Sequence, residues 1–159
     1  MNRLLFTFCA LMIAFGSMAQ QTTKATTGGE THYAKYMTTS DFQTKVFDYK
    51  SDPTVWKYRG TRPCVIDFYT TWCGPCKALA PVIESLAQEY DGIVDFYKID
   101  TEKEPELAAL FGIRSIPTLL FVPTDGLPQM AQGALPREIL IKAMTDIFKI
   151  KAKENTQGK

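Results

Sequence analysis

The sequence predicts an α/β fold, one mixed central sheet flanked by helices. Three observations carry this. Short apolar runs at Cys64–Tyr69 and Val94–Ile99 are each followed by a helix-forming stretch, an alternation that favours parallel strands joined by helical crossovers. Asp125-Gly126, a hairpin turn signal, separates two further strand-like runs and appends an antiparallel edge. The 159 residues suffice for one ordinary domain with terminal length to spare, and 45% hydrophobic residues are enough to fill its core.

The two ends fall outside this pattern. Arg3 gives a short positive start, Leu4 to Phe15 is almost unbrokenly apolar, and Ser17-Met18-Ala19 has the small-x-small form of a signal-peptidase site. The run is shorter than the roughly 20 apolar residues of a spanning helix. Residues 1–19 therefore read as an export signal cleaved after Ala19, with an uncleaved anchor as the alternative. The expected location is the periplasm or the extracellular space. Cys9 follows bulky Phe6 and Phe8 inside the apolar run, a poor setting for lipid attachment. Residues 20–37, rich in Thr, Gln and Gly, read as a flexible segment that holds the only histidine, His32, as solvated surface. The domain spans 38–150, and 151–159 is a polar tail. A formal net charge of +1 without a basic run gives nucleic acid no electrostatic footing.

Within the domain, Thr39-Ser40-Asp41 offers a helix N-cap, and Phe42, Val46, Phe47 and Tyr49 follow at roughly helical spacing, up to a stop at Asp52-Pro53. Trp56 and Tyr58 read as packing aromatics, with an exposed rim as the alternative. Cys64–Tyr69 is the first strand, apolar enough to be buried on both faces. A helix starts at the cysteine motif, with Leu79, Val82, Ile83, Leu86, Ala87 and Tyr90 as its apolar stripe. Pro81 lacks a backbone donor and crowds the carbonyl of Lys77, which predicts a kink. Asp91-Gly92 turns the chain into the strand Val94–Ile99. A short helix from Pro105 to Phe111 stops at Gly112. Thr118–Val122, entered through Ile116-Pro117, and Gln129–Gln132, closed by Gly133, are the hairpin strands. Pro136–Ile150 is the last helix, apolar along Ile139, Leu140, Ala143, Ile147 and Ile150.

Four cysteines less the one in the leader leave Cys64, Cys73 and Cys76. So small and odd a number is not a disulfide framework, and it suits one reactive pair plus a spare thiol. Cys64, at a strand position, reads as a small core residue. In Trp72-Cys73-Gly74-Pro75-Cys76-Lys77 the two cysteines are three residues apart at a helix start, so their sulfurs share a face and can meet. Cys73 lies where backbone N–H groups are unpaired and the helix dipole is positive, which favours the thiolate that attacks in exchange. Cys76, one turn in, is placed to resolve the mixed disulfide, and Gly74 and Pro75 form the tight link. A zinc site needs about four ligands and the spacing offers two, so no metal is expected. A merely structural bond would close too small a loop to restrict the unfolded chain much.

This motif resembles that of the thioredoxin family, and the likeness runs from about Ser40 to Phe148. Asp67 stands in the strand before the motif, Pro81 where the family kinks its helix, and Gly133 where it has a groove glycine. Phe111-Gly112-Ile113-Arg114-Ser115-Ile116-Pro117-Thr118 looks like its second active-site loop. The resemblance implies a thioredoxin fold and a protein-disulfide oxidoreductase with no cofactor. It implies a redox disulfide Cys73–Cys76, with Cys73 as nucleophile and Cys76 as resolving thiol. Asp67 is implied as a buried proton relay of raised pKa, with Lys98 in support or as plain surface. Pro117 is implied to be cis, Ile116 to pair its backbone with substrate, and Trp72, Gly74, Pro75 and Gly133 to shape the substrate groove. Tyr69 departs from the family, many of whose members carry tryptophan there.

Thioredoxin-like reductants and strong exported oxidants differ by about 150 mV, roughly 7 kcal/mol for two electrons. Gly74-Pro75 and Ile116 resemble the reductants. The expected partners are disulfide-bearing proteins and, outside the cytoplasm, a membrane thiol-electron donor; the chain is expected to be a monomer. Thiol oxidation, cytochrome maturation and a binding or chaperone module with a vestigial pair are the alternatives, although the Cys73–Pro117 spacing lacks the insertion of tethered cytochrome-assembly relatives.

Overall fold

The computed structural model describes residues 32–153. The leader, its cleavage point at Ala19, residues 20–31 and residues 154–159 lie outside the described residues. In chain order the elements are β1 (Lys35–Tyr36), α1 (Thr39–Lys45), β2 (Cys64–Tyr69), α2 (Gly74–Glu89), β3 (Asp95–Asp100), α3 (Pro105–Leu110), β4 (Thr118–Val122), β5 (Gln129–Gln132) and α4 (Arg137–Phe148). The sheet runs β1-β3-β2-β4-β5. β1 and β2 are parallel to β3, and β4 is antiparallel to β2 and β5.

β2 lies in the middle because its residues are apolar on both faces. Val65 points to a core shared with Leu79, Ile83 and Leu86 of α2 and with Leu140 and Met144 of α4. Cys64, Ile66 and Phe68 point the other way, to Phe42 of α1 and Leu107 of α3. Two apolar layers are thus separated by one sheet, as the alternation of elements predicts. Cys64 is fully buried and unpaired, as expected of a small core residue, and burial pushes its thiol up to about 12.

Three sequence expectations change. Lys35-Tyr36, inside the segment read as flexible, forms strand β1 on the edge of β3. The N-cap of α1 is Thr38, one residue earlier than expected. Its hydroxyl accepts from Asp41 N–H, and the Asp41 carboxylate accepts from Thr38 N–H in return, a reciprocal cap. The helix then stops at Lys45. Val46 and Phe47 both donate to the Phe42 carbonyl, and Tyr49 reaches the core from the turn that follows. Thr38→Ala is expected to lower stability by about 1 kcal/mol, measured by urea unfolding, because it leaves the Asp41 N–H at the helix end without its acceptor.

The stretch between α1 and β2 has no regular structure and is tied down by side chains. Arg59 donates to the Gln43 carbonyl at 2.9 Å and to Asp48 at 3.1 Å, and Arg62 pairs with Asp95 at 2.7 Å. Trp56 packs on Phe47 with ring centres 4.6 Å apart, so it is a packing aromatic. α2 continues through Pro81 as a helix.

Candidate active site

The two cysteines meet because β2 ends one turn before α2 begins. Cys73 is the N-cap of α2, in extended conformation, and its sulfur accepts from Cys76 N–H at 3.2 Å. A cap acceptor near its own sequence neighbour brings the sulfurs together, and Cys73 and Cys76 are joined as a disulfide. Both residues are buried, and Gly74 and Pro75 between them are exposed. The positive end of the helix dipole and the unpaired first-turn amides therefore face the sulfur of Cys73.

A second segment faces the pair. The Ile116-Pro117 bond is cis. The Ile116 carbonyl oxygen lies 3.8 Å from Cys73 Sγ, which carries no proton in the disulfide but can donate one as a thiol. Gly133 N–H donates to the Pro117 carbonyl at 2.8 Å, so the end of β5 lines up beside this loop. Gly133 has φ +91, a conformation that glycine takes without strain. The fold thus brings Cys73, Ile116-Pro117 and Gly133 side by side from three separate parts of the chain. Trp72 stands beside them, 66% exposed, with its indole N–H donating to Glu102 at 2.9 Å.

Asp67, two residues on from Val65 in β2, lies on the sheet face that α2 covers. It is 1% exposed and neither carboxyl oxygen has a hydrogen-bond partner. Burial pushes its pKa up to about 6, against a smaller downward pull from the Lys98 charge. Lys98 is its register neighbour on β3, half-buried, with its ammonium over the rings of Tyr69 and Tyr36. Tyr69 stays protonated through the physiological range, since burial lifts its phenol to about 12.

Sequence reasoning missed Glu102 and Tyr36. Nothing local marks either: Glu102 reaches Trp72 from 30 residues away, and Tyr36 meets Lys98 only through strand pairing. Glu102 also borders a hollow of about 290 Å³ beside the pair, lined by Trp72, Thr101, Arg114 and Ile116 among others. A larger hollow of about 340 Å³, between Phe47, Val55 and Arg59, includes no residue of this surface. Among the described residues no group of three or more His, Cys, Asp or Glu comes together to hold a metal ion.

The arrangement is one that exchanges disulfides, and known proteins share it. The Thioredoxin family model matches residues 35–146. A thioredoxin of Borreliella burgdorferi is 46% identical over 112 residues, 70% of this chain and 95% of that protein. Thioredoxin 1 of a Nostoc species is 39% identical over 82 residues, 52% of this chain and 77% of that protein. The crystal structure of chloroplastic thioredoxin z superposes with a TM-score of 0.60 at 27% identity, over 72% of this chain and 93% of that one. The chain is a protein-disulfide oxidoreductase and belongs to the thioredoxin family.

Proposed function

We propose that this chain reduces or isomerises disulfides of exported proteins, with Cys73 as nucleophile and Cys76 as resolving thiol. The observation that carries the reading is the Cys73–Cys76 pair at the N-terminus of α2, with the Ile116-Pro117 loop against its first sulfur. In the reduced enzyme the Cys73 thiolate attacks one sulfur of a substrate disulfide. That bond breaks, one substrate thiolate leaves, and a mixed disulfide joins Cys73 to the substrate. Asp67, as carboxylate, takes the Cys76 proton, and the Cys76 thiolate attacks Cys73 Sγ. The second substrate thiolate leaves, and the Cys73–Cys76 disulfide carries the two electrons' worth of oxidation. The Ile116 backbone and the groove formed by Trp72, Gly74, Pro75, Pro117 and Gly133 hold the extended substrate during both steps.

The apolar leader and Ser17-Met18-Ala19 support a place in the periplasm or outside the cell. There, electrons come from a membrane thiol donor that re-reduces Cys73–Cys76. The direction is tested by the reduction potential, from equilibration with glutathione redox buffers. The expected value is near the roughly −270 mV of thioredoxins, and a value near the roughly −120 mV of strong oxidants would reverse the reading. Insulin reduction with dithiothreitol separates an enzyme with this working pair from a binding module. Turnover above dithiothreitol alone is the expected result.

A further inference from the structure

Tyr36, Lys98 and Asp67 form one row across three strands. Tyr36 of β1 is in register with Lys98 of β3, and Lys98 is in register with Asp67 of β2. Neighbours in register point to the same face of a pleated sheet. Adjacent strands lie about 4.8 Å apart, well within the span of a lysine's four-carbon stem, and a carboxylate in dry surroundings attracts an ammonium strongly. Lys98 nevertheless leaves both oxygens of Asp67 without a partner. Its Nζ lies 4.9 Å from the centre of the Tyr69 ring and 5.6 Å from that of Tyr36, both within cation–π range. The rings are 6.5 Å apart and tilted by 45°, so the ammonium occupies a notch between them. Tyr36 is 64% exposed, so core packing does not account for its ring.

We propose that Tyr36, together with Tyr69, cages the Lys98 ammonium away from Asp67, which makes Tyr36 a positioning residue for the buried acid. The inference rests on the reading above only for its consequence in catalysis. The other groups around Asp67 do not offer Lys98 a competing partner. β4 presents Leu119 at the neighbouring position. Asp100 and Glu104 line one hollow with Lys98, Tyr36 and Tyr69, but both are engaged: Asp100 accepts from Glu102 N–H and lies near Lys103, and Glu104 accepts from the N–H and hydroxyl of Thr39. On α2, Cys76 is in the disulfide and Glu84 is bound to the backbone N–H groups of Tyr33 and Ala34. With the Tyr36 ring removed, half the notch is gone, and of the carboxylates around Lys98 the one without a partner is Asp67.

The test is a carboxyl ¹³C NMR titration of Asp67 in the full chain, held in the disulfide form so that neither cysteine of the pair titrates. Tyr36→Ala is expected to lower the Asp67 midpoint by roughly half to one pH unit as Lys98 swings in. Tyr36→Phe keeps the ring and is expected to keep the midpoint. In a Lys98→Met background the midpoint rises, and adding Tyr36→Ala is expected to change nothing more. An unchanged or raised midpoint in Tyr36→Ala, or the same fall without Lys98, would overturn the cage. The titration needs no turnover. If the midpoint moves but the rate at which Cys76 resolves a mixed disulfide keeps its pH profile, the relay reading of Asp67 fails and the cage stands.

Discussion

Replacing Cys73 with serine is expected to reduce insulin turnover to the rate of dithiothreitol alone, while Cys76→Ser is expected to accumulate a covalent adduct with protein substrates. The asymmetry follows from geometry. Cys73 caps α2, where its sulfur accepts the Cys76 N–H and faces the Ile116 carbonyl. A negative sulfur there gains from the helix dipole and from the amide it already binds. A serine hydroxyl in that place stays protonated and cannot form the mixed disulfide, so neither half-reaction begins. Cys76 is buried one turn into α2, and in the proposed mechanism it meets substrate only through Cys73. Its loss spares the first attack and removes the second, so the intermediate persists and can be seen on a non-reducing gel. Equal trapping by the two variants would reverse the assignment of nucleophile and resolving thiol.

The parts legible in the sequence are those set by neighbours along the chain. The apolar run of β2 could only be a strand buried on both faces, and its ends, like those of β4 and β5, fall where the pattern puts them. The cysteine pair is local as well, since three-residue spacing and a helix start are sufficient to join it. What stayed hidden depends on partners distant in sequence. Lys35-Tyr36 has no alternation to mark it and is a strand only because β3 offers an unpaired edge. Val46 and Tyr49 keep helical spacing but are held in the core by a turn, so periodicity overran the end of α1. Lys98 could be read equally as a supporting charge or as surface, because its place over two tyrosine rings is fixed by strand register and not by its own segment.

Asp67→Asn is expected to stabilise the protein at pH 8 and to slow it at the same time. In the folded chain the carboxyl titrates near 6, against 3.8 as the ordinary value, because burial disfavours the charged form. Well below pH 3.8 the group is neutral in both the folded and unfolded chain, and the substitution changes little. As pH rises from there, the unfolded chain ionises first, and folding then requires Asp67 to hold a proton or to bury a charge. Stability is lost through that window and levels off above pH 6. A shift of about two units corresponds to about 3 kcal/mol, which the neutral amide does not lose. Urea unfolding at about pH 3 and pH 8 should therefore show a variant matched to the parent at the lower pH and more stable by about that amount at the higher. The amide cannot take a proton from Cys76, so resolution of a mixed disulfide should become slower and lose its dependence on a group near pH 6. A stability difference that is the same at both pH values would mean that Asp67 ionises as readily in the folded chain as in water. The buried acid would then have no means of holding a proton for Cys76, and both its cost to the fold and its use in exchange would fall together.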